Sequence, residues 1–183
     1  MFYELELKTH VRVSPELFNL ELKDAIHTQL AKDFGNYVSK ELGIVVLVSD
    51  IVEIGEGILI PGDGASYYDT TFKVYTFNPQ LQEVLLGRIS DIQEFGAFME
   101  MGPIDGMIHL TQVMDDYVSF SKSNVLTGKE SKKLLKFGDK CKARIIAISF
   151  KDPTNPKIGL TMRQPMLGKV EWLELERNEK NKK

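Results

Sequence analysis

Gly87-Arg88-Ile89-Ser90-Asp91-Ile92, Phe95-Gly96-Ala97-Phe98-Met99, Gly106-Met107-Ile108-His109, Gly138-Asp139-Lys140-Cys141-Lys142-Ala143-Arg144-Ile145 and Lys157-Ile158-Gly159-Leu160-Thr161-Met162-Arg163 follow one another through the second half of the chain. Each fragment is short, carries branched or aromatic side chains, and is bounded by glycine or a polar turn, which is the pattern of a strand. Together they predict strands at Glu83 to Ile92, Phe95 to Met101, Asp105 to His109, Lys140 to Ser149 and Lys157 to Met162. Five short strands with glycine at the corners suit a five-stranded OB barrel.

Phe95 and Phe98 are three apart, which on a regular strand sends them to opposite faces. Gly96 between them permits a bulge, and one extra residue returns both rings to one face. Two exposed rings with His109 from the neighbouring strand make a platform for unstacked bases. Lys142, Arg144 and Lys157 supply phosphate contacts beside it. The plainer alternatives are a core role for each phenylalanine and a structural role for His109. Thr111 to Phe137 is a polar stretch with lysines at 122, 129, 132, 133 and 136, and its lysine-rich part, 122–136, reads as a solvated loop. Cys141 reads as a small core residue.

Ahead of this region the pattern changes. Met1 to Val13 alternates as an extended segment, and Ser14-Pro15-Glu16 is a helix-start signature. Leu22, Ile26, Leu30 and Phe34 recur every four residues, a helical stripe that Gly35 can end. Ile44 to Ile54, Ile58 to Ile60 and Thr70 to Phe77 read as strands, the last two joined by the turn Pro61-Gly62-Asp63-Gly64. The first half is thus a small α+β unit, β-α-β-β-β. Asn78-Pro79-Gln80 is the seam. Residues 1–78 carry a balance of −6 and residues 79–183 a balance of +3, within a net charge of −3. The expected organisation is an α+β domain at 1–78, an OB-type domain at 79–173 and a charged, disordered tail at 174–183.

Several classes are disfavoured. A single cysteine allows no intrachain disulfide and no multi-cysteine zinc site, so a reducing, cytoplasmic setting is expected. Apolar runs such as Ile44 to Val48 are too short to cross a bilayer, and Met1-Phe2-Tyr3-Glu4 lacks the start of a signal peptide. Histidines 10, 27 and 109 are far apart, and no cluster has metal-ligand spacing. No catalytic residue, metal or cofactor is expected. Asp115-Asp116 is a tempting carboxylate pair, but adjacent side chains diverge, and a solvated or capping role fits them better. Gly55-Glu56-Gly57 precedes no helix, so it is not a phosphate loop.

The five fragments, in order and spacing, resemble the RNA-binding domain first described in ribosomal protein S1. The resemblance implies RNA contacts at Phe95, Phe98, His109, Lys142, Arg144 and Lys157. Two departures stand out: Ser149 replaces the acidic residue common at the end of the fourth strand, and residues 151–156 enlarge the last hairpin. A wider set of segments is similar to the E-type subunits of archaeal RNA polymerase, the counterparts of the seventh subunit of eukaryotic polymerase II. These are Val13-Ser14-Pro15-Glu16-Leu17-Phe18, Ile54-Gly55-Glu56-Gly57, Ile60-Pro61-Gly62-Asp63-Gly64, Met114-Asp115-Asp116-Tyr117-Val118 and Leu160 through Trp172. That resemblance implies a non-catalytic stalk protein whose catalytic centre lies in other subunits. It implies docking on the polymerase core through Gly57, Ile58, Ile60, Pro61, Gly62 and Gly64, pairing with a small helical partner of the F type, and contact with single-stranded RNA. No homo-oligomer is expected. The alternatives are a free-standing RNA-binding factor for RNA decay or translation, and a nuclease carrying an OB domain.

Overall fold

A computed structural model of the chain describes residues 1–35, 37–121, 124–152 and 156–181. The chain divides into two compact units, Met1–Asn78 and Pro79–Lys183.

The first unit runs β1 (Phe2–Val13), a 3-10 turn at Pro15–Leu17, α1 (Leu22–Phe34), β2 (Val38–Ser39), β3 (Gly43–Leu59) and β4 (Ser66–Phe77). The strands form an antiparallel sheet in the order β1-β4-β3-β2. Alternation in β1 sorts its faces. Leu5, Leu7, Val11 and Val13 turn toward the core with their β4 partners Val74, Phe72, Tyr68 and Ser66. Glu4, Glu6, Lys8, His10 and Arg12 take the other face. Helix α1 covers the core face with Ala25, Ile26 and Leu30, packed with Val11, Val13, Val45, Phe72 and Val74. Leu22, the first residue of the expected stripe, is exposed, and Ala25 takes its place in the core. Burying a side chain such as Ile26 or Phe72 contributes about 1.5–3 kcal/mol.

Two expected strands are one. Ile44 to Ile54, Ile58 and Leu59 belong to the continuous β3, with Ile60 just past its end, and that end has a partner: Ile58 pairs with Tyr67 and Leu59 with Ser66. The register slips between Val45 and Leu47, Val48 and Ile51, Ile51 and Glu53, and Ile54 and Gly57. Glycine inside a strand looks like a break in sequence, whereas here it accommodates a bulge. Gly57 has a steric reason as well, because a Cβ there would stand 2.7 Å from the Tyr68 ring. One smaller expectation also changes. The Ser14 hydroxyl makes no cap bond to the turn that follows and instead accepts from Arg12 Nη1 at 3.4 Å. Gly35 ends α1 as expected, with φ −60°.

The second unit contains β5 (Val84–Gln93), β6 (Gly96–Glu100), β7 (Asp105–His109), a 3-10 turn at Leu110–Gln112, β8 (Val118–Ser121), β9 (Val125–Gly128), β10 (Leu134–Leu135), β11 (Lys140–Ser149), β12 (Lys157–Thr161), β13 (Gly168–Lys169) and α2 (Val170–Asn181). Antiparallel pairs β5–β6, β6–β7, β11–β12 and β11–β5, with the parallel pair β7–β12, close a five-stranded barrel of OB type. Its interior holds Ile89, Ile92, Ala97, Met99, Ile108, Cys141, Ala143, Ile145, Ile158 and Leu160, all buried. The α+β unit followed by an OB barrel is the fold the sequence predicts.

The stretch expected to be a solvated loop folds instead. β8, β9 and β10 make an antiparallel three-stranded sheet with Val118, Leu126 and Leu135 buried. Its strands have only two to four residues each, so lysines at the turns hide the alternation. Lys122 and residues 153–155 of the enlarged hairpin lie outside the described residues. The charged tail is a second correction, since Glu174 to Asn181 continue helix α2. Trp172 in its first turn is buried, and Lys133 Nζ donates to Glu176 at 2.7 Å while lying 5.5 Å from the Trp172 ring centroid. This anchorage gives a polar helix a docked face that its composition does not announce.

Candidate functional site

The turn between β5 and β6 carries Phe95, and β6 begins at Gly96. Along β6, Ala97 and Met99 enter the barrel, so Phe98 points outward; along β7, Gly106 and Ile108 enter, leaving Met107 and His109 outside. Across the strands Phe98 faces Met107 and Gly96 faces His109. The Phe95 and Phe98 rings meet edge to face, with centroids 6.1 Å apart and planes at 89°. Phe95 is 46% exposed and Phe98 is half-buried.

The expected mechanism for uniting the rings needs correction. Both reach one face because Phe95 sits in the turn, ahead of the strand, and the bulge lies in β5 between Ile89 and Asp91. Gly96 is still required, because a Cβ there would collide with the Ile108 carbonyl oxygen.

His109 has a structural bond and an outward ring together. Its Nδ1 accepts the Thr111 N–H at 3.3 Å, with the Thr111 hydroxyl 2.9 Å away. Accepting at Nδ1 leaves the proton of the neutral ring on Nε2. The bond caps the 3-10 turn and fixes the imidazole. Met107 completes the outward row and is not among the expected residues; its alternation with Gly106 and Ile108 is the signal that marks it. On β12, Gly159 pairs with Met107, and Lys157 lies two residues along on the same outward face, exposed.

Lys142 and Arg144 also point out of the barrel, from β11. They pair with Leu86 and Val84, five and seven positions before Asp91, the residue opposite Phe98. At about 3.3 Å per residue, five positions are roughly 17 Å along the strand. Arg144 pairs on its other side with Thr161, whose hydroxyl donates to Gln112 Oε1 at 2.8 Å. Thr161 follows Leu160, the partner of Ile108, so Arg144 lies across β12 from the His109 end of β7. The structure therefore unites Phe95, Phe98 and His109, sets Lys157 on their face, and places Arg144, then Lys142, on the β11 side of His109, away from Phe98.

The hairpin between β3 and β4 presents the second set. Ile58, Leu59 and Ile60 are 55%, 72% and 47% exposed, and Gly57, Pro61 and Gly62 are exposed with them. Gly64, at the far side of the turn, is also exposed. Leu59, the most exposed of the three apolar residues, is missing from the expected set. Asp63 N–H donates to the Ile60 carbonyl at 3.1 Å, and Gly62 takes φ +92°, which glycine adopts without strain. Beneath the tip, Arg12 Nε and Nη2 donate to the two Asp63 oxygens at 3.0 and 2.8 Å, and Tyr67 donates to the same carboxylate at 2.7 Å. The Arg12 guanidinium, then the Tyr67 hydroxyl, hold the Asp63 carboxyl well below the usual carboxylate range.

Asp115 and Asp116 diverge. Asp115 accepts from Arg163 Nε at 2.9 Å, while Asp116 accepts from the N–H groups of Tyr117, Glu130 and Ser131 and from the Ser131 hydroxyl. Among the described residues no cluster of His, Cys, Asp or Glu could hold a metal ion, and no helix is long and apolar enough to cross a membrane.

Two family models match the chain. One is an SHS2 domain found in the N terminus of Rpb7p/Rpc25p/MJ0397, over residues 8–64, and the other is the S1 RNA binding domain, over residues 78–149. DNA-directed RNA polymerase subunit Rpo7 of Sulfolobus acidocaldarius is 35% identical over 96% of this chain and 97% of its own length. The chain belongs to the Rpo7 family of RNA polymerase subunits. Rpo7 of Saccharolobus solfataricus is likewise 35% identical, over 94% of this chain and 97% of its own length. Subunit RPC8 of Bos taurus RNA polymerase III is 27% identical over 85% and 81%. The Rpo7 likeness thus spans both units, and the S1 match contains the ring pair and His109.

Proposed function

We propose that this chain is a non-catalytic stalk subunit that docks on the polymerase core through its β3–β4 hairpin, pairs with a small helical partner of the F type, and holds the emerging single-stranded transcript on its barrel. The observation that carries the reading is the pair Phe95–Phe98 beside the fixed ring of His109, outside a closed barrel. Aromatic faces outside a packed core offer stacking surface to any base, which suits a transcript of no fixed sequence. Lys157 on the same face adds a phosphate contact. The exposed Ile58, Leu59 and Ile60 support docking, because apolar anchors on a fixed tip suit a pocket in a larger body. For the partner, the sheet face opposite α1 exposes Phe2, Leu47 and Tyr75, an apolar strip that a helical protein would cover. Nucleotidyl transfer belongs to other subunits.

The test is titration of fluorescent single-stranded RNA with the Phe95→Ala/Phe98→Ala variant, alongside thermal unfolding. Each lost stack should weaken binding by about 5- to 150-fold in a chain that remains folded. Unchanged affinity in the folded variant overturns the RNA reading.

A further inference from the structure

A cleft of about 270 Å³ lies beyond His109, lined by Leu110, Thr111, Asp116, Tyr117, Val118 and Arg163. Thr111 belongs to the cleft and also bonds the His109 ring, so the cleft adjoins the His109 end of the ring platform. Tyr117 is 70% exposed, yet both of its backbone groups are held. Its N–H donates to Asp116, and its carbonyl accepts from Lys129 N–H at 3.0 Å. Lys129 Nζ stands 4.3 Å from the centroid of its ring. A cation over one side of a fixed, exposed aromatic leaves the remaining surface of the ring for a flat partner.

The two carboxylates of this region are already engaged by protein donors. The Asp116 carboxylate is surrounded by three N–H groups and a hydroxyl, which hold its pKa below the ordinary value, the Ser131 bonds contributing most. Asp115 is engaged by Arg163, whose side chain is 52% exposed. Lys129 and Arg163 are therefore the cations that flank Tyr117.

We infer that this cleft is a further nucleotide subsite of the barrel, in which Tyr117 stacks on a base of single-stranded RNA and Lys129 and Arg163 meet the adjoining phosphates. The subsite rests on the RNA reading given above and extends it past the three rings. RNA that crosses Phe95, Phe98 and His109 passes over Thr111 into the cleft, so the subsite is filled only by a strand longer than the platform itself accommodates.

The experiment uses oligouridylates of increasing length, measured by fluorescence anisotropy against the full chain. Tyr117→Ala should leave the shortest bound oligomers unaffected and weaken longer ones by about 5- to 150-fold, while Tyr117→Phe should bind as the unaltered chain does. A folded Tyr117→Ala chain that binds long oligomers normally, when Phe95→Ala/Phe98→Ala does not, overturns the subsite and leaves the platform standing. Equal loss at every length also overturns it, since the ring would then act within the platform. Normal binding by both variants removes the platform and the subsite together. Should Tyr117→Ala fail to fold, photocrosslinking of 4-thiouridine RNA to the unaltered chain decides instead. Crosslinks at Tyr117 are expected with long oligomers alone, and their absence at every length overturns the inference.

Discussion

Arg12 on β1 and Asp63 in the β3–β4 turn, 51 positions apart, join through two parallel N–H···O bonds of 3.0 and 2.8 Å. The fork of a guanidinium matches a carboxylate in a single orientation, so this contact fixes where the turn points. Asp63 in turn accepts the Ala65 N–H at 3.2 Å, which ties the far side of the tip. A hairpin end with three exposed apolar residues is thereby held in one shape before any partner arrives.

Arg12→Lys should retain the charge and lose the fork. Amide hydrogen exchange at Asp63 and Ala65 should accelerate while amides of β1 and β4 remain protected. The pH dependence has a defined sign. Because the Asp63 carboxyl titrates below its ordinary value near 3.8, its contribution is complete above that value and is lost as pH falls below it. Exchange at the tip should therefore be flat from neutral pH to about 5 and rise only in stronger acid, once intrinsic rates are divided out. Loss of protection already near pH 6 would show that another group holds the tip.

Ile58→Asp/Leu59→Asp should prevent incorporation of the chain into purified polymerase without unfolding it. Both residues are exposed and their strand bonds are made by backbone, so the folded chain loses little. Central apolar anchors cost about 2 kcal/mol or more when removed, roughly 30-fold in affinity for each. Co-purification of the double variant at normal stoichiometry would place the docking surface elsewhere.

Lys157→Ala should lower the slope of log affinity against log salt by about 0.7 for short single-stranded RNA. Lys142→Ala should leave that slope unchanged until the RNA is long enough to reach the Leu86 end of β5. Equal effects of the two lysines on the shortest oligomers would contradict the separation seen along the strand.

Cys141 is fully buried on β11, and burial first, then the nearby Asp139, push its thiol up to about 12. Alkylation by iodoacetamide at pH 8 should follow global unfolding, because the folded chain offers neither thiolate nor access. Between its ordinary value near 9 and about 12 the unfolded chain releases a proton that the folded one keeps, so stability should decline over that range. Rapid labelling under native conditions would contradict this burial.

The legible parts of the molecule are those where side-chain period and backbone geometry agree. The five barrel strands and α1 repeat every two or about four residues and appear close to their expected bounds. Phe95, Phe98 and His109 can be grouped from sequence because they sit beside fixed turns. Sequence misleads where backbone geometry departs from the regular period. Gly55 and Gly57 look like the end of a strand and lie within a bulged one. Lys142 joins Phe98 by type and alternation, but alternation fixes only the face, while distance along β11 depends on register. The β8–β10 sheet is hidden because its longest strand has four residues, too few to show a period. Leu59 escapes notice between Ile58 and Ile60, since a strand sends neighbours to opposite faces and at a hairpin tip both faces are exposed.

The slips in β3 have a further consequence. This 17-residue strand pairs on one side with β4 and on the other with β2 only at Ile44 and Gly43, so most of its second edge lacks a strand neighbour among the described residues. A straight edge of that length would be a template for a second molecule to add its own strand, the first step toward aggregation. Four interruptions in thirteen positions, from Val45 to Gly57, break the regular spacing of N–H and carbonyl groups that an incoming strand must match. The same irregularity that carries the hairpin out to its tip therefore protects the unit from polymerising along its own sheet.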